Sequence, residues 1–294
     1  LNFKKLLTLK MFYICTKFLS NRRFSILKMK KKITYSFIAL FCFLSFANAQ
    51  RHEIGVQMGM SNLVGDIGRT NYIFQKPIGG SLTDYGLPFY GGLLYRMNFN
   101  PYQSARLNLG FSNIQFDDRY AKENYRRMRK LWGTNSIFSA DLLFEYNFLP
   151  VNDEQRSMLS PYIFGGVSGM YMNAANPELN IKTATEIEVS YTQKKEFTMG
   201  VPFGIGLKYK FNYNWALSGE FLFRPTFSDK VDYSSLEEGD ITVKKTALNK
   251  EQTAEIVQGF MQQRNIGNPN SKDWVNSVTL ILSYSFGRPP CYCK

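Results

Sequence analysis

Apolar and polar residues alternate with period two through much of this chain. The clearest run is Trp274–Phe286, WVNSVTLILSYSF. Trp274, Val278, Leu280, Leu282, Tyr284 and Phe286 fall on one side, with Asn276 as the only polar member. Val275, Ser277, Thr279, Ile281, Ser283 and Ser285 fall on the other. Successive strand side chains point to opposite faces, so the run predicts a strand with an oily face and a mostly polar one. A half-buried strand of a soluble sheet gives the same alternation. Aromatic residues at both ends of the oily face match instead the girdles of a lipid-facing barrel strand.

The rest of the chain favours the barrel. Ile54, Val56, Met58 and Met60 alternate with Glu53, Gly55, Gln57 and Gly59. The same period runs through 89–99, 105–112, 138–148, 199–211 and 215–224, and a Gly-rich segment at 162–172 has no clear phase. Eight strands of about ten residues make the smallest outer-membrane barrel, and that length crosses the hydrocarbon when tilted. Connections at 98–104 and 212–214 are short and 149–160 is moderate, whereas 61–86, 113–135, 173–198 and 225–273 read as long polar loops. The expected fold is therefore all-β, an eight-stranded antiparallel transmembrane β-barrel. Short turns would face the periplasm and long loops the outside. One loop carries a short helix within 247–264, where Ala254, Val257, Phe260 and Met261 fall at helical spacing.

On this phase Glu53, Arg96, Arg106, Asp141, Glu145, Lys208, Lys210 and Glu220 point inward. An isolated buried charge is costly, so a balanced network of Arg96, Arg106, Asp141, Glu145, Lys208 and Glu220 is expected to plug the lumen. Glu53 and Lys210, near strand ends, are expected in water at the rim.

Composition changes the picture only after the first residues are set aside. Met29 opens a basic stretch, Lys30 to Lys32, followed by a mostly apolar one and by Ala47-Asn48-Ala49. This is the layout of a secretory signal peptide cut between Ala49 and Gln50. The expected organisation is 1–28 as upstream translation, 29–49 as signal peptide and 50–294 as one barrel domain. The chain has 36 basic and 23 acidic residues. Ten of the basic ones and none of the acidic ones lie in 1–49, leaving 26 against 23. The basic excess that would suggest nucleic acid thus lies in the leader, and no nucleic-acid partner is expected.

Candidate chemistry is sparse. His52, the single histidine, stands at the expected periplasmic start of the first strand and reads as a surface residue, so no enzyme is expected. One His and the two cysteines beyond the leader do not make a metal cluster, and no cofactor is expected. The glycines of 200–206 alternate with oily residues and read as a lumen-side strand face. Cys291 and Cys293 could contact a partner, ligate metal, form a local disulfide, or lie inert in a tail. The segment 120–130, YAKENYRRMRK, is basic and aromatic; a solvated loop is the plainer reading, and contact with lipopolysaccharide phosphates the sharper one.

Several strings together resemble a known family: His52-Glu-Ile-Gly55, Ser61-Asn-Leu-Val-Gly65-Asp66, Pro88-Phe-Tyr-Gly91, 276–286, and Gly287 followed by Arg-Pro-Pro-Cys-Tyr-Cys293. The chain is similar to the PorG-like outer-membrane β-barrels of the type IX secretion system in Bacteroidota, also grouped as DUF6089. That resemblance implies a non-catalytic component associated with the periplasmic ring of that machine, supporting export and, in gliding species, motility. A small general porin, an OmpW/OmpX-like barrel, or an outer-membrane enzyme acting on lipid are the alternatives.

Overall fold

The computed structural model describes residues 51–72, 87–152, 158–183, 186–246, 248–268 and 271–287. The leader, the Ala49–Gln50 cleavage point and the Cys291/Cys293 pair lie outside these residues. The strands among the described residues are β1 (Arg51–Val64), β2 (Phe89–Asn98), β3 (Gln103–Asp117), β4 (Trp132–Asn147), β5 (Met158–Ile181), β6 (Ile187–Gly200), β7 (Phe203–Lys210), β8 (Trp215–Phe223), β9 (Thr242–Thr246) and β10 (Trp274–Phe286). The α-helices among them are α1 (Asn124–Arg129) and α2 (Lys250–Arg264).

Eight strands hydrogen-bond in a ring, in the order β4-β3-β2-β1-β10-β8-β7-β5, with β5 returning to β4. The first and last strands pair antiparallel from His52↔Phe286 to Val64↔Trp274. β4 and β5 close the ring from Phe138↔Tyr171 to Asn147↔Tyr162. Closure leaves no bare edge inside the ring, which is what hydrocarbon requires of a spanning sheet. The last strand has the bounds read from its alternation.

Burial inverts the pattern of a soluble protein. Met58 is 72% exposed, Leu280 64% and Leu93 61%, whereas Arg96 and Glu145 are 0% exposed. Two aromatic belts edge this oily wall. At the short-turn end Trp215 packs on Tyr284 with ring centres 5.0 Å apart, and Tyr146 on Phe148 at 5.7 Å. At the other end Phe111 meets Phe138 at 4.7 Å, and Phe203 meets Phe223 at 5.8 Å. From Trp274 to Phe286 the strand covers about 40 Å, or about 30 Å along the membrane normal at the usual barrel tilt. That matches the hydrocarbon thickness.

Three expectations are corrected at the long-loop end. Residues 173–198 are not a loop: β5 runs on to Ile181 and pairs with β6 from Ser168↔Gly200 to Ile181↔Ile187. Strand six is thus two segments, β6 and β7, interrupted at Val201-Pro202. Proline has no N–H for the ladder. Instead, the Pro202 carbonyl accepts from Gly166 N at 2.9 Å. In β6, residues 188–195 are exposed on both faces, so no oily period betrayed the strand. The second correction concerns 225–273. There β9 adds parallel to β5 at Glu178–Ile181; the helix expected within 247–264 is present as α2 and begins after Asn249, whose side chain accepts from Gln252 N at 2.9 Å. Leu179, Ile181 and Val257 make a small core with Ile241, Val243 and Phe260. α2 therefore packs on this outlying sheet, forming a cap with its own core. The third correction concerns 120–130, where α1 replaces the expected solvated loop.

Candidate functional site

The lumen is built by the inward residues of all the ring strands, and it is filled. Arg96 of β2 donates from Nη1 to Glu53 of β1 at 2.6 Å and from Nε to Glu145 of β4 at 3.0 Å. Arg106 of β3 reaches Glu145 at 2.9 Å and forms a two-pronged pair with Glu220 of β8. Lys208 of β7 lies 2.8 Å from Glu53 and 3.0 Å from Asn152 Oδ1. Asp141 of β4 accepts from Arg224 Nη2 at 2.7 Å and from Ser168 Oγ at 2.5 Å. Four cations thus face four carboxylates, joined across strands far apart in sequence. Bidentate arginine suits this task because its planar fork holds two carboxylates at once.

Of the six residues expected in the network, Arg96, Arg106, Glu145, Lys208 and Glu220 are linked in one chain of pairs that includes Glu53, whereas Asp141 pairs separately with Arg224. Glu53 is a correction: it is 2% exposed, and bonds Arg96 and Lys208 at the centre of the network rather than standing at the rim. Lys210 is also buried, at 3% exposure, not in water. Arg224 was missed as a partner, although it shares the inward phase of Glu220 four residues earlier. Aromatic rings complete the filling. The Tyr162 hydroxyl donates to Glu220, and Arg106 sits 4.9 Å over the Phe164 ring. Gly206 and Gly204 leave the room that the Tyr162 and Phe164 rings occupy. The Gly-rich 200–206 segment is, as read, a face of a lumen strand.

Above the charges an apolar plug closes the mouth. Leu63, Ile67, Ile114, Phe116, Ile137, Met170, Met172 and Val275 surround Val231, which a loop lowers into the barrel. Asn135 Nδ2 donates to the Val231 carbonyl at 2.8 Å, and Val231 N donates to Asp273 Oδ2 at 2.9 Å. Tyr233, in the left-handed region at φ 61, bonds Thr134 O at 3.1 Å. α1 straps the neighbouring turn. Arg126 donates to the carbonyls of Gly65 and Gly68 at 3.0 and 3.1 Å, and Arg129 to that of Asp66 at 2.6 Å. Arg129 also pairs with buried Asp118. The basic run 120–130 therefore splits, two arginines turning inward while Lys122, Arg127 and Lys130 stay exposed.

Four carboxylates collect beside the plug. Burial raises Asp229 to about 7, with Asp66 and Asp232 adding like charge and Lys272 opposing. Burial, then Asp232 and Asp229, raises Asp273 to about 9. Asp232 is raised too, chiefly by burial. Asp232 and Asp273 both face Gly65, where a side chain would collide with them. Among the described residues no group of three or more His, Cys, Asp or Glu could hold a metal. His52 is a surface residue at the short-turn belt, its Nδ1 2.8 Å from the Tyr95 hydroxyl and its ring beside Phe286.

A closed antiparallel ring of eight strands, oily outside, belted by aromatics and charged within, defines an outer-membrane β-barrel, and its place is the outer membrane. The chain belongs to the family described as Domain of unknown function (DUF6089), matched over residues 31–294. Comparison with the curated proteins gives no match. Among solved structures it is similar to Ail, the attachment invasion locus protein of Yersinia pestis, at 12% identity and TM-score 0.36, covering 80% of this chain and 98% of that one. OprG of Pseudomonas aeruginosa matches at 12% identity and TM-score 0.36, covering 81% and 96%. A major outer membrane protein of Thermus thermophilus matches at 16% identity and TM-score 0.36, covering 81% and 100%.

Proposed function

We propose that this barrel is a non-enzymatic outer-membrane component of the type IX protein secretion system, anchoring or stabilising its periplasmic ring. The observation that carries the reading is the filled lumen. Four ion-paired cations and carboxylates, with Val231 lowered into an apolar plug above them, occupy the route a solute would take. A barrel without a passage acts through its surfaces. Family membership and the Ser61–Asp66 and Cys291/Cys293 strings support the choice of machine. The periplasmic turns, with Cys291 and Cys293, are the surfaces for the ring proteins, and membrane lipid surrounds the wall.

Deletion of the gene, followed by assay of exported proteins in the medium, tests this directly. Export falls if the reading is right; unchanged export rejects it. Pull-down from detergent-solubilised membranes supplies the partner, and recovery of the barrel alone counts against the ring.

A further inference from the structure

At the short-turn end of the lumen a lysine, a carboxylate and an amide meet out of water. Glu53 comes from β1, Lys208 from β7, and Asn152 from the connection between β4 and β5. They are 2%, 1% and 3% exposed. Lys208 Nζ lies 2.8 and 3.1 Å from the two carboxylate oxygens of Glu53 and donates to Asn152 Oδ1 at 3.0 Å. The connection that carries Asn152 tucks inward here. Val151 beside it is 1% exposed, and Asn152 N donates to Pro101 O at 3.4 Å.

The ion-pair network accounts for Glu53 and Lys208 but not for the amide. Glu53 is held without it, by Arg96 Nη1 at 2.6 Å and Asn98 Nδ2 at 2.9 Å. Asn152 Nδ2 is buried and has no hydrogen-bond partner among the described residues. A buried donor left so is costly. An amine, an amide carbon and a carboxylate able to carry protons between them are the parts of an amide exchange. Holding amine and amide together replaces a bimolecular encounter, and excluding water protects the product from hydrolysis.

We propose that Lys208 and Asn152 join in an isopeptide bond once the barrel has folded. Glu53 takes a proton from the Lys208 ammonium, and the freed Nζ electron pair bonds Cγ of Asn152. Glu53 hands that proton to Nδ2 and takes a second from Nζ. The Cγ–Nδ2 bond breaks with its electron pair on nitrogen. The ammonia collects the second proton and leaves as ammonium, so Glu53 remains the anionic partner of Arg96. Nothing is oxidised or reduced, and no co-reactant enters. The bond ties the β4–β5 connection to β7 across 56 positions of chain and fastens the floor of the barrel. The three residues meet only through ring closure, so the link marks the folded state. It is independent of the secretion role.

The barrel is refolded from urea into detergent micelles, digested, and searched by tandem mass spectrometry for the branched peptide that joins Asn152 to Lys208. The branch is expected in refolded and in membrane-extracted protein, lighter than its two parts by one ammonia, and absent before refolding. Asn152→Ala leaves every ion pair in place, so it should lack the branch and keep the heat-modifiable gel shift of a folded barrel. Glu53→Gln should slow linking by on the order of a hundredfold, the effect of a lost proton carrier. Linking at the wild-type rate in that variant overturns the role given to Glu53. Intact mass alone does not decide, since cyclisation of an N-terminal glutamine or of Asn152 also releases ammonia. Folded wild-type protein that carries no branch, or that loses ammonia without one, overturns the proposal.

Discussion

Arg106 shows how the interior is stabilised residue by residue. Its guanidinium is held between Glu145 and Glu220 and stacked on Phe164, with nothing of it in solvent. Removing it leaves buried Glu220 without a cation and Glu145 with Arg96 alone. Arg106→Met should cost about 3–5 kcal/mol of barrel stability, more than a cavity of the same size would, because breaking a buried pair leaves an uncompensated charge. Urea unfolding in detergent measures it, and a loss under about 1 kcal/mol would show that the pairs are not coupled. The mouth carboxylates give a second expectation. Asp229 and Asp273 ionise less readily folded than unfolded. Their contribution is therefore complete below the usual carboxylate value of about 4 and is lost as pH rises through about 7 for Asp229 and about 9 for Asp273. Stability of the mouth should fall from pH 5 to pH 9.5, followed by denaturant titration of Trp274 emission. Asp273→Asn should remove the alkaline part of that fall; a wild-type profile in this variant would clear the residue of the effect.

Elements outside the ring depend on small cores and on straps. α2 rests on Leu179 and Ile181 through Val257. Val257→Asp puts a charge into that core, and the cap should open by several kcal/mol while the ring stays folded. Limited proteolysis should then cut within 242–264 at native temperature, with the heat-modifiable gel shift unchanged. Loss of the shift would mean that cap and ring fold as one unit. The hairpin of β5 and β6 shows what alternation can reveal. β10 was legible to the residue because one face meets lipid and the other ion pairs. β6 was not, because water wets both of its faces above the membrane and no contrast is written into 188–195. α2 was legible through its apolar spacing, but its resting place was not, since Leu179 and Ile181 lie about 70 residues away.

For the whole molecule the solvent is the deciding condition. The outer wall is apolar because hydrocarbon surrounds it, and the charges lie inside because only there can they find each other. Leu280→Arg, on the bare wall between the belts, should cost about 2–4 kcal/mol if it lies near the bilayer midplane. Thr279→Ser, facing the lumen one residue away, should cost under about 1 kcal/mol. Refolding equilibria into lipid vesicles test both, and equal effects would contradict a lipid-facing wall. Planar bilayers holding the wild-type protein should show no steady conductance. Sustained current would make the filled lumen a channel and favour the porin reading.

The sequence by itself determined the eight-strand count, the two faces of each clear strand and the inward charges. These follow from period two and from the penalty on charge in hydrocarbon, both local to a strand. Only tertiary structure decided which charge meets which: Glu53 belongs between Arg96 and Lys208, and Arg224 to Asp141, because ring closure sets the register between distant strands. It also decided that the polar segments after Val64 and Asp117 fold over the mouth. Their contacts are single hydrogen bonds and like charges brought together from 61–68, 118–130, 229–234 and 273, and no repeating pattern along the chain encodes such a meeting.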